Sequence, residues 1–170
     1  RDYKVTGVQT CALPIYGGIE ATYEYVDENG EVLYHAVRLS PKTFRVRRPL
    51  SDGSFVWKLG DARRVPYRLP ELIEAVASGN RVFVVEGEKD ADRLSAVGLT
   101  ASTNVFGAGK WDDSYNSYFR GAQVVILPDN DHTGRQHAEK VKRALRGVAE
   151  DVRVLELPDL PEKGDVSDWL

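Results

Sequence analysis

Three acidic clusters lie in the second half of the chain, each behind an apolar run. Val82-Phe-Val-Val85 leads into Glu86-Gly87-Glu88-Lys89-Asp90. Gln123-Val-Val-Ile-Leu127 leads into Pro128-Asp129-Asn130-Asp131-His132-Thr133-Gly134. The run Val152–Leu157 is followed by Lys163-Gly164-Asp165-Val166-Ser167-Asp168. Carboxylates brought to one edge repel and raise one another's pKa. A divalent cation removes that cost, and hard oxygen donors of this kind suit Mg²⁺ or Mn²⁺, which also bind phosphate oxygens. Gly87 and Gly134 allow tight backbone turns beside such a site. Aspartate and glycine also cap and turn the strand ends of ordinary α/β proteins, but three clusters together favour a site.

Other signals are weaker. Gly107-Ala-Gly109-Lys110 invites a P-loop reading, yet Asn104 stands at the first glycine position and Trp111 where Ser or Thr belongs. A phosphate-touching turn with Lys110 is the reading kept, beside that of a plain turn. Lys89 is placed either on a phosphate or on a neighbouring acid. His132 and His137 have no third soft ligand near them in sequence and are expected at the surface. Arg45, Arg47 and Arg48, close to Phe44, Phe55 and Trp57, read either as a nucleic-acid strip with stacking aromatics or as a solvated strand face over an aromatic core. Lys58, Arg63 and Arg64 extend it. Trp111 and Tyr115 read as packing residues.

The elements that must position these residues follow from periodicity. Ile19–Val26 and Glu31–Leu39 alternate around Asn29-Gly30, the strongest short-range hairpin signal. Lys42–Arg48 and Ser54–Leu59 read as further strands. Pro70 opens a helix over Glu71–Ala77. The rhythm then changes. Strands are expected at Val82–Val85, Thr100–Phe106, Gln123–Leu127 and Val152–Leu157. Helices are expected over Asp90–Val97 and Thr133–Leu145. Alternating strands and helices predict an α/β fold, a doubly wound, mostly parallel four-stranded sheet, with ligands bound outside the carboxyl ends of its strands.

The chain has 170 residues, 42% of them hydrophobic and 29% charged, as in ordinary globular proteins. No apolar run is long enough to cross a membrane. The net charge of −3 hides a division. Residues 31–70 carry nine Lys or Arg against three acids, whereas residues 81–170 carry twelve against sixteen. The expected organisation is therefore a basic, β-rich (α+β) subdomain over 16–80 and an acidic α/β domain over 81–170. The chain has no methionine and begins at Arg1, so it is expected to be a fragment. Val5–Ile15 resembles a translated sequencing adapter. Residues 1–15, with the single cysteine Cys11, are set aside on that ground.

Glu-Gly-Glu-Lys-Asp at 86–90 with Asp-Asn-Asp-x-x-Gly at 129–134 resembles the Toprim domain, shared by bacterial-type primases, topoisomerases, OLD-type nucleases and recombination proteins. Lys163–Leu170, Phe106-Gly-Ala-Gly-Lys-Trp111 and Val65–Glu71 make it similar to the primases and primase–helicases of phages and plasmids. The resemblance spans roughly residues 19–170. It implies that Glu86 is a metal ligand or general base, that Asp129 and Asp131 hold Mg²⁺, and that Asp90, Asp165 and Asp168 complete the acidic set. The spacing Asp165-x-x-Asp168 departs from the Asp-x-Asp of some primases. The implied activity is Mg²⁺-dependent, template-directed synthesis of RNA primers by nucleotidyl transfer. A single-stranded DNA template and nucleoside triphosphates would be its substrates, and a replicative helicase, fused or separate, its partner. The implied setting is the cytoplasm of a bacterial host, with a phage or plasmid gene. A Toprim nuclease using the same acids and a non-catalytic nucleic-acid-binding module are the rival readings. A topoisomerase would need a nucleophilic tyrosine on a further domain, and a phosphoacceptor receiver would need a different placement of acids and lysine.

Overall fold

The computed structural model describes residues 18–170, so the adapter-like segment 1–15 and Cys11 lie outside the described residues. Among the described residues, eight strands form two sheets. The first is an antiparallel meander of β1 (Ile19–Val26), β2 (Val32–Leu39), β3 (Thr43–Pro49) and β4 (Phe55–Val56). After α1 (Leu69–Ala77), the second half runs β5 (Arg81–Val84), α2 (Glu88–Ala96), β6 (Thr100–Ser102), a 3₁₀ helix (Asp113–Phe119), β7 (Gln123–Ile126), α3 (His132–Leu145), β8 (Asp151–Val154) and α4 (Val166–Trp169). Its sheet is wholly parallel, in the order β6-β5-β7-β8.

That order follows from the sequence pattern. Val82 and Val84 of β5 and Val124 and Ile126 of β7 are all at most 2% exposed, as continuous apolar runs require in central parallel strands. The chain leaves β5 toward β6 through α2, and leaves β7 the opposite way toward β8 through α3. Right-handed crossovers then put α2 and α3 on opposite faces. The packing agrees: α2 meets α4, while α3 meets the 3₁₀ helix, which also touches α1. The winding reverses between β5 and β7, so their carboxyl ends form the switch point where a doubly wound sheet binds ligands.

Register gives the antiparallel sheet two functions on one face. Tyr25 pairs with Tyr34; Tyr23 pairs with Ala36, which in turn pairs with Val46; Ala21 pairs with Arg38, which in turn pairs with Phe44. Tyr25 and Tyr34 are fully buried and stack at 4.7 Å between ring centroids. They belong to the same hydrophobic cluster as Leu69, Val82, Phe119, Ile126 and Leu145. The other end of that face, carrying Arg38 and Phe44, opens onto a cleft.

Several expectations need correcting. The hairpin does not turn on two residues: Asp27 and Glu31 close it (Asp27 N–H donates to Glu31 O, 2.9 Å), leaving three tip residues with Gly30 at φ 85°. Asp27 Oδ1 accepts from the Asn29 and Glu31 N–H groups, so the aspartate organises the loop. The run Ser54–Leu59 pairs only at Phe55 and Val56, because Leu59 turns away into the core. Thr100–Phe106 is a strand only as far as Ser102. Beyond it, Thr103 and Asn104 are buried in a loop. The 3₁₀ helix and α4 had no counterpart in the sequence reading. His137 is not at the surface but 3% exposed. It lies four residues before Val141 and eight before Leu145, on the buried face of α3.

Candidate functional site

A cleft of about 370 Å³ separates the two sheets. Its floor is the switch point. Glu86 follows β5 and Asp129 follows β7, and Glu86 Oε1 accepts a hydrogen bond from the Asp129 N–H at 3.2 Å. Gly134, in the first turn of α3, makes this approach possible: a Cβ there would collide with Glu86 Oε1 and lie 2.5 Å from the Asp129 carbonyl oxygen. Burial raises the pKa of Glu86, and Asp131 and Asp90 raise it further. Asp129 is pushed up to about 8, by burial first and then by Glu86, Asp90, Asp165 and Asp131. The floor is thus a set of carboxylates that feel one another strongly.

Each of the other acids is held by local structure. Asp131 caps α3, its Oδ1 accepting from Gly134 N–H at 2.7 Å. Asp90, in the first turn of α2, is 5% exposed. It accepts from Ser167 Oγ at 2.5 Å and from Ser167 N–H at 3.1 Å, and burial raises its pKa. Asp165 caps α4 and receives Lys89 Nζ at 2.6 Å. Burial works to raise the Asp165 pKa, but the Lys89 ammonium and the helix-end N–H groups bring it below its ordinary value. Asp168 closes the capping box by accepting from Asp165 N–H at 2.9 Å. It does not line the cleft, whereas Glu86, Asp90, Asp129, Asp165 and Lys89 do. Among the described residues, no three His, Cys, Asp or Glu side chains form a metal-binding group.

The basic residues separate. Arg38, Lys42 and Arg45 line the cleft opposite the acids. Arg38 pairs with Glu20 at 2.8 Å. Lys42 and Arg45 have no carboxylate partner among the described residues. Arg47 and Arg48, adjacent in β3, point to opposite faces. Arg47 lies over the Phe55 ring at 3.9 Å and near Trp57 at 5.6 Å. Arg48 binds Asp61 at 2.6 Å. Arg63 grips both oxygens of Glu28, and Arg64 reaches Asp112 at 3.2 Å. Lys58 is exposed on the loop after β4, and Lys110 is exposed outside the cleft lining.

Three features escaped the sequence reading. Glu88, the first residue of α2, is 6% exposed and accepts from the Tyr25 hydroxyl at 2.8 Å. Its pKa is raised chiefly by burial. Arg38 and Lys42 entered only as counts of charge, although the β2–β3 register carries the signal that places Arg38. Finally, α3 pins the glycine turn after β6. His137 Nδ1 accepts from Gly109 N–H at 2.9 Å, and Lys140 Nζ donates to Gly109 O at 2.9 Å. Burial and the nearby Lys140 lower the His137 pKa to about 4, so the ring is neutral and its Nδ1 free to accept.

No family model and no curated protein sequence matches the chain. Its fold is similar to solved structures of primases. One is the primase fragment of the bacteriophage T7 primase-helicase protein, with 19% identity and a TM-score of 0.53, covering 86% of this chain and 56% of that one. Another is the Escherichia coli primase catalytic core, with 23% identity and a TM-score of 0.60, covering 87% and 47%. A third is the Aquifex aeolicus primase with its zinc-binding and RNA polymerase domains, with 21% identity and a TM-score of 0.64, covering 87% and 36%. The chain spans about half the length of the first two and about a third of the last. The likeness is one of fold. No helix among the described residues is long and apolar enough to cross a membrane.

Proposed function

We propose that this chain is the Toprim-containing catalytic part of a DNA primase, which joins ribonucleotides on a single-stranded DNA template. The observation that carries the reading is the cleft, where carboxylates at a switch point face cations from a second sheet. One wall is suited to a metal ion and the other to phosphates. The likeness of fold to primase cores supports it.

The donor chemistry fits Mg²⁺ or Mn²⁺. Glu86 and Asp129 are hard oxygen donors whose ionisation is opposed by their own neighbours, and a divalent ion would relieve that. Mg²⁺ is commonly held by one or two carboxylates together with waters and substrate phosphates rather than by a closed protein cage. Glu86 and Asp129 would hold it, with Asp90, Asp131 and Asp165 around them. When bound, the ion supplies charge stabilisation at the attacking and leaving oxygens of phosphoryl transfer.

The chain's own residues do the rest. Gly134 and the Asp129 N–H fix the Glu86 carboxylate at the cleft floor. Lys42 and Arg45 would neutralise nucleotide or template phosphates, giving affinity that weakens with salt and carries little sequence information. Lys89 is held beside the floor by Asp165 and would reach a phosphate from there. One of the similar structures is a primase-helicase, so a replicative helicase, fused or separate, is the partner we expect. The bacterial cytoplasm is the setting such work implies.

The test is incorporation of labelled ribonucleotides on a single-stranded template with Mg²⁺, by the gene product that contains this chain. Glu86→Gln and Asp129→Asn should each lower the rate on the order of 10²-fold or more. Unchanged rates in both variants would remove the proposed site. Template cleavage without synthesis would replace the reading by a nuclease, and binding without either reaction by a non-catalytic module.

A further inference from the structure

The turn after β6 holds an aromatic side chain in a costly conformation without burying it. Phe106 has φ 70°, a left-handed backbone that a bulky L-residue adopts only against steric resistance. Gly107 and Gly109 beside it, at φ 69° and 77°, are the residues such a turn ordinarily uses. Burial does not compensate Phe106, which is 44% exposed. The turn is nevertheless fixed from several sides. Asn104, itself fully buried, donates through Nδ2 to Val105 O at 3.1 Å and to Gly107 O at 2.8 Å. His137 and Lys140 hold Gly109. Strain maintained by its surroundings and returned as an exposed ring marks a functional position.

Phe106 lines the same cleft as Glu86, and so does Phe44, 46% exposed, on β3 across from Arg38. The cleft therefore offers two exposed phenyl rings next to acids suited to a metal ion and cations suited to phosphate. A ligand carrying a planar π-system and phosphates matches all three. We propose that Phe106, assisted by Phe44, is a stacking platform for the nucleobase of the nucleotide bound in this cleft. The inference rests on the primase reading and adds to it the group that grips the base.

The experiment measures binding by the gene product containing this chain, in two arms. One compares a single-stranded DNA oligonucleotide with an abasic strand of equal length. The other compares ATP with inorganic triphosphate. The wild type should favour the base-bearing ligand in at least one arm by about tenfold. The arm in which it does so distinguishes a template base from that of a free nucleotide. Phe106→Gly should erase the preference while keeping the salt dependence of binding. Because glycine relieves the positive φ, the variant should melt no lower than wild type. Phe106→Tyr should keep the preference. No preference in the wild type, alongside salt-sensitive binding, overturns this inference and leaves the primase reading standing. A preference that survives Phe106→Gly, or a loss accompanied by a lower melting temperature, also overturns it. Absence of any binding to all four ligands removes the primase reading itself.

Discussion

At the residue scale, Asp129 carries the clearest electrostatic signature of the site. Its folded pKa of about 8 lies far above the value of about 3.9 for an unfolded aspartate. The native state thus binds a proton that the unfolded chain releases. Stability from this group is fully present below about pH 4 and is lost as pH rises toward 8. Asp129→Asn should leave the melting temperature nearly unchanged at pH 4 and raise it at pH 8, where the stability gained is on the order of 1 kcal/mol for a half-buried group. Mg²⁺ added to the wild type at pH 8 should act in the same direction and should act less on the variant. A variant that melts lower at pH 8 would show the carboxylate to be already compensated. The acids of the floor were legible in the sequence because each cluster follows an apolar run whose end the fold must place at the sheet's carboxyl edge. Glu88 and Phe106 were not. One is defined by a tyrosine 63 positions away and the other by a backbone angle, and neither leaves a trace in local composition. His137 was legible in principle, since its spacing to Val141 and Leu145 is helical; its imidazole type argued for the surface and outweighed the period.

At the element scale, the first turn of α3 decides the geometry of the floor. Gly134→Ala puts a methyl group against Glu86 Oε1, which could move only by leaving the Asp129 N–H, and against backbone atoms of Asp129, which cannot swing aside as a side chain would. The helix start must shift, at a cost of about 1–3 kcal/mol. Denaturant midpoints should show the loss, while the neighbouring Thr133→Ala should stay within about 0.5 kcal/mol of wild type. An equal midpoint for Gly134→Ala would mean that the floor tolerates displacement. Long periodic elements such as α3, and the apolar strands β5 and β7, could be read in advance because burial imposes a repeat on them. The 3₁₀ helix and the four-residue α4 are too short to show one. They exist through caps: Asp112 accepts from Ser114 N–H, and Asp165 exchanges hydrogen bonds with Asp168. Reading Lys163–Asp168 only as acids hid that structural use.

At the scale of the whole molecule, the basic and acidic halves distinguished by charge share one apolar cluster, joined at Tyr25 and Glu88. Burial and the nearby Glu88 hold the Tyr25 phenol well above its ordinary pKa, so it remains a donor. Tyr25→Phe leaves a buried carboxyl group without its partner and should cost about 1–3 kcal/mol. Combining it with Glu88→Gln should recover part of that in a double-mutant cycle, and strict additivity would rule out the coupling. Charge distribution distinguishes a basic from an acidic stretch but does not report their shared core, because the tyrosines that join them sit in strands that read as a self-sufficient hairpin. The shared core also has a consequence for how the chain is made. Translation delivers Tyr25 and Tyr34 well before Phe119, Ile126 and Leu145 of the same cluster, which follow about a hundred residues later. At about 5–20 residues per second, the hairpin waits roughly 5–20 s with its aromatic face in water. During that interval the first half is the segment most exposed to aggregation, and the arrival of β7 and α3 ends the exposure.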